Sequence, residues 1–187
     1  AQPRIPGPEI GSVQDKEVQG THGNIPIRIY TPEGEGPFPI TMWFHGGGWV
    51  IGNIETNDAT CRALAESADS IIVSVDYKLS PEYKFPIPFD DCYEATSWVF
   101  KYAHTFNGDS GNLAVAGASA GGNLAAAVSL KARNEKGPSI KQQTLVYPVT
   151  DYDFSYDSYK ECEEGYGLEY ATMVYFWNSY LSAENDQ

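Results

Sequence analysis

Positive charge is scarce in this chain, and so are cysteine and histidine. Twelve Lys and Arg stand against 25 Asp and Glu, a formal net charge of −13 over 187 residues. A surface of that sign repels the phosphates of nucleic acid and the headgroups of anionic lipid, which argues against both as partners. No apolar run reaches the ~20 residues a helix needs to cross a bilayer. The N-terminal stretch "AQPRIPGPEIG" lacks the charged and apolar regions of a signal peptide. The three cysteines, Cys61, Cys92 and Cys162, are widely spaced and form no C-x-x-C. That pattern gives neither a disulfide framework nor a metal clip. It reads as reduced, mostly buried thiols in a cytoplasmic protein. There is no H-E-x-x-H, and Asp151, Asp153 and Asp157 lack the glycine and terminal glutamate of a calcium loop. No metal and no organic cofactor are therefore expected. Glu163 and Glu164 read as a solvated acidic edge.

What is present suits one globular domain. Hydrophobic residues make up 42% and charged residues 20%, a balance that excludes intrinsic disorder. Residues 1–24, rich in Pro and Gly, are expected to form an extended arm. In "IPIRIYT" (25–31), Ile25, Ile27 and Ile29 alternate with smaller or polar residues, as in a half-buried strand. "FPITMWFH" (38–45) is a second strand that runs into three glycines. "SIIVSVD" (70–76) and "NLAVAG" (112–117) are nearly continuous in apolar residues and suit strands covered on both faces. "QQTLVYP" (142–148) is a further strand. Between them, helical spacing is seen over 55–68, 88–106 and 120–137, the last closing on Gly137. Alternating strands and helices imply βαβ units and a mostly parallel sheet flanked by helices.

Beyond residue 151 the chain turns acidic and aromatic. Residues 168–181 place Met173, Phe176, Trp177, Tyr180 and Leu181 on one helical face. Such a face is either an ordinary core stripe or a lid that walls an apolar pocket.

Two motifs carry chemistry. "GASAGG" (117–122) sets Ser119 in G-x-S-x-G, directly after an apolar strand and at the mouth of an Ala-rich helix. The pentapeptide alone would arise by chance in about one Gly-rich chain of this length in ten. The strand–turn–helix setting is that of a nucleophile elbow, in which Gly117 and Gly121 leave room for a sharp turn. The helix start points N–H groups, beginning with Ala120, at any developing oxyanion. The second motif is "HGGGW" (45–49), whose glycines Gly46, Gly47 and Gly48 let the backbone approach a ligand and aim N–H groups inward.

These residues resemble the hormone-sensitive-lipase-like family of α/β-hydrolase carboxylesterases. The matching text is "HGGGWVIGNIETND" (45–58), "SVDYKLSPEYKFPIPFDD" (74–91), "GASAGGNLAAAVSLKAR" (117–133) and "QQTLVYPVTD" (142–151), in the family's order. The resemblance implies an α/β-hydrolase fold and ester hydrolysis through an acyl-enzyme on Ser119, and the aromatic lid suggests small to medium acyl esters. The resemblance also implies an oxyanion hole from the N–H groups of Gly47, Gly48 and Ala120. His45 would brace the glycine loop. Residues 1–151 would be the N-terminal part of the catalytic domain and 152–187 a cap or lid.

Two departures stand out. Ala118 occupies the position where the family usually has Asp. The family also carries its acid and histidine downstream of the cap, whereas His22, His45 and His104 all precede Ser119. His22 and His104 read as surface residues. The expectation is a fold truncated after the cap segment, with the acid and histidine supplied by a further segment or a second chain. The alternatives are a non-catalytic, hormone-receptor-like binding protein of gibberellin-receptor type on the same fold, or an inactive fragment.

Overall fold

The structure, a computed structural model, describes residues 7–182. Among them six strands form one sheet: β1 (Ser12–Gly20), β2 (Gly23–Thr31), β3 (Phe38–Phe44), β4 (Ile71–Val75), β5 (Gly108–Ala118) and β6 (Ile140–Val146). Their spatial order is β1-β2-β4-β3-β5-β6. The four strands β4, β3, β5 and β6 are parallel, and β1 and β2 add an antiparallel hairpin at one edge. Among the described residues the α-helices are α1 (Ile54–Ala68), α2 (Ile87–Tyr102), α3 (Ala120–Asn134), α4 (Asp157–Glu161) and α5 (Tyr170–Tyr180).

Alternation along the strands sorts side chains onto two faces. Ile27, Ile29, Ile40, Met42, Phe44, Val73, Val75, Leu113 and Val115 share one cluster with residues of α2, α3 and α5. Their neighbours Tyr30, Trp43, Ile72 and Ala116 point the other way, onto Cys61 and Ala65 of α1. β4 is buried at all five positions, as its unbroken apolar sequence requires, whereas β6 lies at an edge and exposes Lys141–Thr144.

α1 starts at a reciprocal cap. The Asn53 side chain accepts from the Thr56 N–H at 2.9 Å, and the Thr56 hydroxyl accepts from the Asn53 N–H at 3.1 Å. Two of the helix's orphan donors are thereby satisfied.

Several expectations need correcting. Residues 12–20 are a full strand paired with β2 from Ser12–Thr31 to Gly20–Gly23, so the segment is no loose arm. Within it only Val18 is buried and Gln14–Glu17 are exposed, so alternation gave no sign of it. Residues 1–6 of the expected arm, and 183–187 of the expected cap, lie outside the described residues. The helix expected over 88–106 ends at Tyr102. A single tight turn, Ala103–Phe106, follows and is stopped by Asn107 in the left-handed conformation at φ 63°. α3 closes not on a left-handed Gly137 but through Lys136 at φ 54°. The Gly137 N–H returns to the Ala132 carbonyl at 2.8 Å. Cys61 and Cys92 are buried and Cys162 is exposed, all three as free thiols. Burial pushes the Cys61 thiol up to about 12 and raises Cys92 as well, which removes their reactivity.

Candidate active site

β5 ends at Ala118 and α3 begins at Ala120, so Ser119 is the whole turn between them. Its backbone sits at φ 55°, ψ −119°, outside the ordinary regions for an L-residue. Such a conformation costs about 1–3 kcal/mol and survives only where neighbours enforce it. The enforcement is visible. The Ser119 N–H donates to the Val146 carbonyl at 2.9 Å, and the Ser119 carbonyl accepts from Asn123 N–H at 3.1 Å and Val149 N–H at 3.2 Å. The Asn123 side chain returns to the Val149 carbonyl at 3.0 Å, pinning the segment after β6 against the elbow.

The flanking glycines are needed for space rather than for positive φ. A Cβ on Gly117 would run into the Gly121 and Phe44 carbonyls. One on Gly121 would run into the Phe44 carbonyl and lie 2.6 Å from the His45 carbonyl. The start of α3 is therefore pressed onto the end of β3, and any side chain there would separate them.

That contact brings the two motifs together. A Cβ on Gly46 would lie 2.9 Å from the Ala118 carbonyl and 3.4 Å from Ser119 Cβ. Gly47, Gly48 and Trp49 all have positive φ, 122°, 59° and 61°. The Gly47 carbonyl accepts from the N–H groups of Val50 and Ile51, both at 3.0 Å, which makes the loop a tight turn. Ala120 is buried at the start of α3.

His45 is fully buried beneath this loop. Its ring stacks on Tyr77 at 4.2 Å and 12°. Nδ1 lies 2.8 Å from the Gly46 carbonyl, so it carries the proton and donates. The Tyr77 hydroxyl donates to the His45 carbonyl at 2.7 Å. Burial drives the His45 pKa below its ordinary value, outweighing the opposing pull of the Gly46 hydrogen bond and of Asp76. His45 is thus buried and neutral. Tyr77, its stacking partner, went unnoticed in the sequence because an isolated aromatic residue has no periodic signature.

The remaining histidines stay at the surface: His104 is exposed, and His22, in the β1–β2 turn, lies 3.6 Å from Asp90. Among the described residues no group of three or more His, Cys, Asp or Glu is placed to hold a metal ion, and no helix is long and apolar enough to cross a membrane.

Ser119 opens into a cavity of about 660 Å³. Its other walls come from the segment after β6 and from the tail, chiefly Tyr147, Asp153, Tyr156, Tyr159, Leu168 and Met173. The aromatic face of α5 does two things. Met173, Trp177, Tyr180 and Leu181 are buried in the main core, and Met173 also lines this cavity.

A strained serine at the carboxyl end of a parallel strand, with a glycine turn from the neighbouring strand packed against it, defines the α/β-hydrolase class. Comparison with known proteins agrees. The family model described as alpha/beta hydrolase fold matches residues 41–187. The chain is 44% identical to Esterase LipI of Mycobacterium tuberculosis over 163 residues, which is 85% of this chain and 51% of that protein. It is 38% identical to an arylesterase of Saccharolobus solfataricus, over 97% of this chain and 60% of the relative. Among solved structures, EstE1, a thermophilic carboxylesterase cloned from a metagenomic library, superposes with a TM-score of 0.93 at 40% identity, covering 97% of this chain and 63% of that one. The chain belongs to the α/β-hydrolase family, in its hormone-sensitive-lipase-like branch. It spans between half and two thirds of the length of these relatives.

Proposed function

We propose that this chain carries the nucleophile and oxyanion side of a serine carboxylesterase. Ser119 Oγ attacks the carbonyl carbon of an ester. The N–H groups of Gly47, Gly48 and Ala120 hold the oxygen as it becomes negative. The alcohol leaves and water then releases the acid from Ser119. The observation that carries the reading is the contact between the strained elbow at Ser119 and the glycine loop. A donor in such a hole is worth about 2.7–4 kcal/mol of transition-state stabilisation.

His45 is held neutral, buried and hydrogen-bonded to its own loop, so it serves as a brace and not as the base. The general base and its orienting acid are assigned to residues outside this sequence, in a further segment or a second chain. Residues 152–181 act as the cap, since Tyr156, Tyr159, Leu168 and Met173 wall the cavity over Ser119. Their apolar and aromatic character favours small to medium acyl groups. Buried free thiols at Cys61 and Cys92 go with a cytoplasmic location.

The test is hydrolysis of 4-nitrophenyl acetate and butyrate by the protein that carries this chain, with labelling by a fluorophosphonate as a second readout. Ser119→Ala is expected to abolish labelling and lower turnover by about 10³-fold or more. Turnover that survives Ser119→Ala would overturn the assignment. Tight binding of an ester analogue with no serine-dependent turnover would point instead to a receptor-like binding protein.

A further inference from the structure

We infer that Lys84 is a positioning residue for the oxyanion-side glycine loop, acting through α5. The inference rests on the reading of Ser119 proposed above.

Lys84 lies in the loop between β4 and α2, remote in sequence from both the glycine turn and the tail. Its Nζ donates to carbonyls at the end of α5, Asn178 at 3.0 Å and Ser179 at 2.8 Å, and to that of Leu181 just beyond it at 2.9 Å. Among the described residues no carboxylate lies within ion-pair distance of this ammonium. α5 has no basic residue in its own last turn. The cation therefore satisfies carbonyls that α5 itself leaves open and meets the negative end of the helix. The next residue adds a backbone tie, Phe85 N–H to the Tyr180 carbonyl at 2.8 Å.

The helix so anchored presses on the glycine loop with three aromatic rings. Tyr180 stacks on Trp49 at 4.4 Å and 6°, and Trp177 meets the same ring at 4.6 Å. The Phe176 ring occupies the space that a Cβ on Gly48 would need. Trp49 itself is fully buried and held at φ 61°, a conformation a bulky L-residue adopts only under constraint. The Lys84 loop closes the circuit, because the Ser80 N–H donates to the Trp49 carbonyl at 2.8 Å. One short loop thus grips both α5 and the turn that α5 compresses. Loss of the cation lets the end of α5 shift. The stack on Trp49 then loosens, and the N–H groups of Gly47 and Gly48 leave the direction in which charge develops. That harms the transition state more than the bound ester, so kcat falls while KM holds.

The experiment compares Lys84→Met, Lys84→Arg and Tyr180→Leu in the protein that carries this chain, by 4-nitrophenyl butyrate kinetics and by amide hydrogen exchange. For Lys84→Met, kcat is expected to fall about tenfold, with KM changed by less than about twofold. Exchange should quicken at residues 46–50 and stay unchanged in β4. Lys84→Arg, which keeps a cation, should restore most of kcat. An unchanged kcat, a change in KM alone, or unchanged exchange at 46–50 would overturn the inference. If Lys84→Met fails to fold, Tyr180→Leu decides, since it keeps Lys84 and an apolar side chain but removes the stack; parental kcat there overturns the inference. If the parent shows no Ser119-dependent turnover, the esterase reading is what has failed. The exchange at 46–50 then decides the Lys84 clamp by itself.

Discussion

Two unlike walls flank Ser119: the glycine loop, packed against the elbow, and the cavity formed by the segment after β6 and the tail. On one side, His45, Gly48 and Trp49 are buried, held by Tyr77, Ser80 and the rings of α5. On the other, Tyr147 is 76% exposed, Tyr156 51% and Leu168 45%, and α4 contains no buried residue. The first wall would touch the reacting carbonyl, where a displacement of an ångström removes most of an oxyanion donor's worth. The second would touch only the variable parts of a substrate, where adaptable contacts suffice. Burial follows that division of labour, and local stability should do the same.

The sharpest way to break the comparison is to exchange glycines for alanine on each wall. Gly121→Ala drives a methyl group into the Phe44 and His45 carbonyls, backbone atoms that cannot swing aside. A loss of about 3 kcal/mol is expected in urea unfolding, together with loss of fluorophosphonate labelling. Gly165→Ala, in the tail, meets nothing within 4 Å and is strained only by its φ of 84°. It should cost about 1–2 kcal/mol and leave labelling intact. Equal losses at the two positions would end the distinction.

An intermediate effect concerns pH. His45 is held neutral by burial, so its folded pKa lies below the ordinary 6.5. The unfolded chain takes up a proton there first, and stability falls as pH drops below 6.5 towards the folded pKa. The slope is at most about 1.4 kcal/mol per pH unit. Asp76 and Asp91, whose carboxyls are raised mainly by burial, act in the opposite sense. The quantity to measure is therefore the difference between the parent and His45→Asn in urea midpoints from pH 7.5 to 5. The variant should be less stable at pH 7.5, and the gap should narrow on acidification. A gap that widens would contradict a neutral brace.

The smallest effect belongs to the open wall. Asp153 is fully exposed, and the Ser155 hydroxyl and N–H hold its carboxyl below the usual range, so it is anionic through neutral pH. Asp153→Asn should raise KM for a cationic choline-type ester by no more than about twofold and leave neutral esters unchanged. A much larger effect would show that this wall is as firmly built as the other.

The strands β2, β3 and β4 were readable because each buries one alternating set or an unbroken run of apolar residues. Ser119 was readable because few local structures need glycine two places before and after a serine at a strand–helix junction. β1 was not, since "SVQDKEV" puts its polar residues against a partner that only the hairpin turn defines. Tyr77, Ser80 and Lys84 were hidden for a related reason. Each acts on a segment far away in the chain, and such a long-range contact leaves no period.

What the sequence determined by itself was the parallel α/β layering, the elbow and the glycine loop, because periodicity and steric need are local properties of a chain. Only the tertiary structure decided that α5 would brace the glycine loop as well as line the cavity. It alone made His45 a buried neutral support and paired residues 12–20 with the sheet. Those outcomes depend on which surfaces meet after folding, and apolar patterning says that a face will be covered without saying by what.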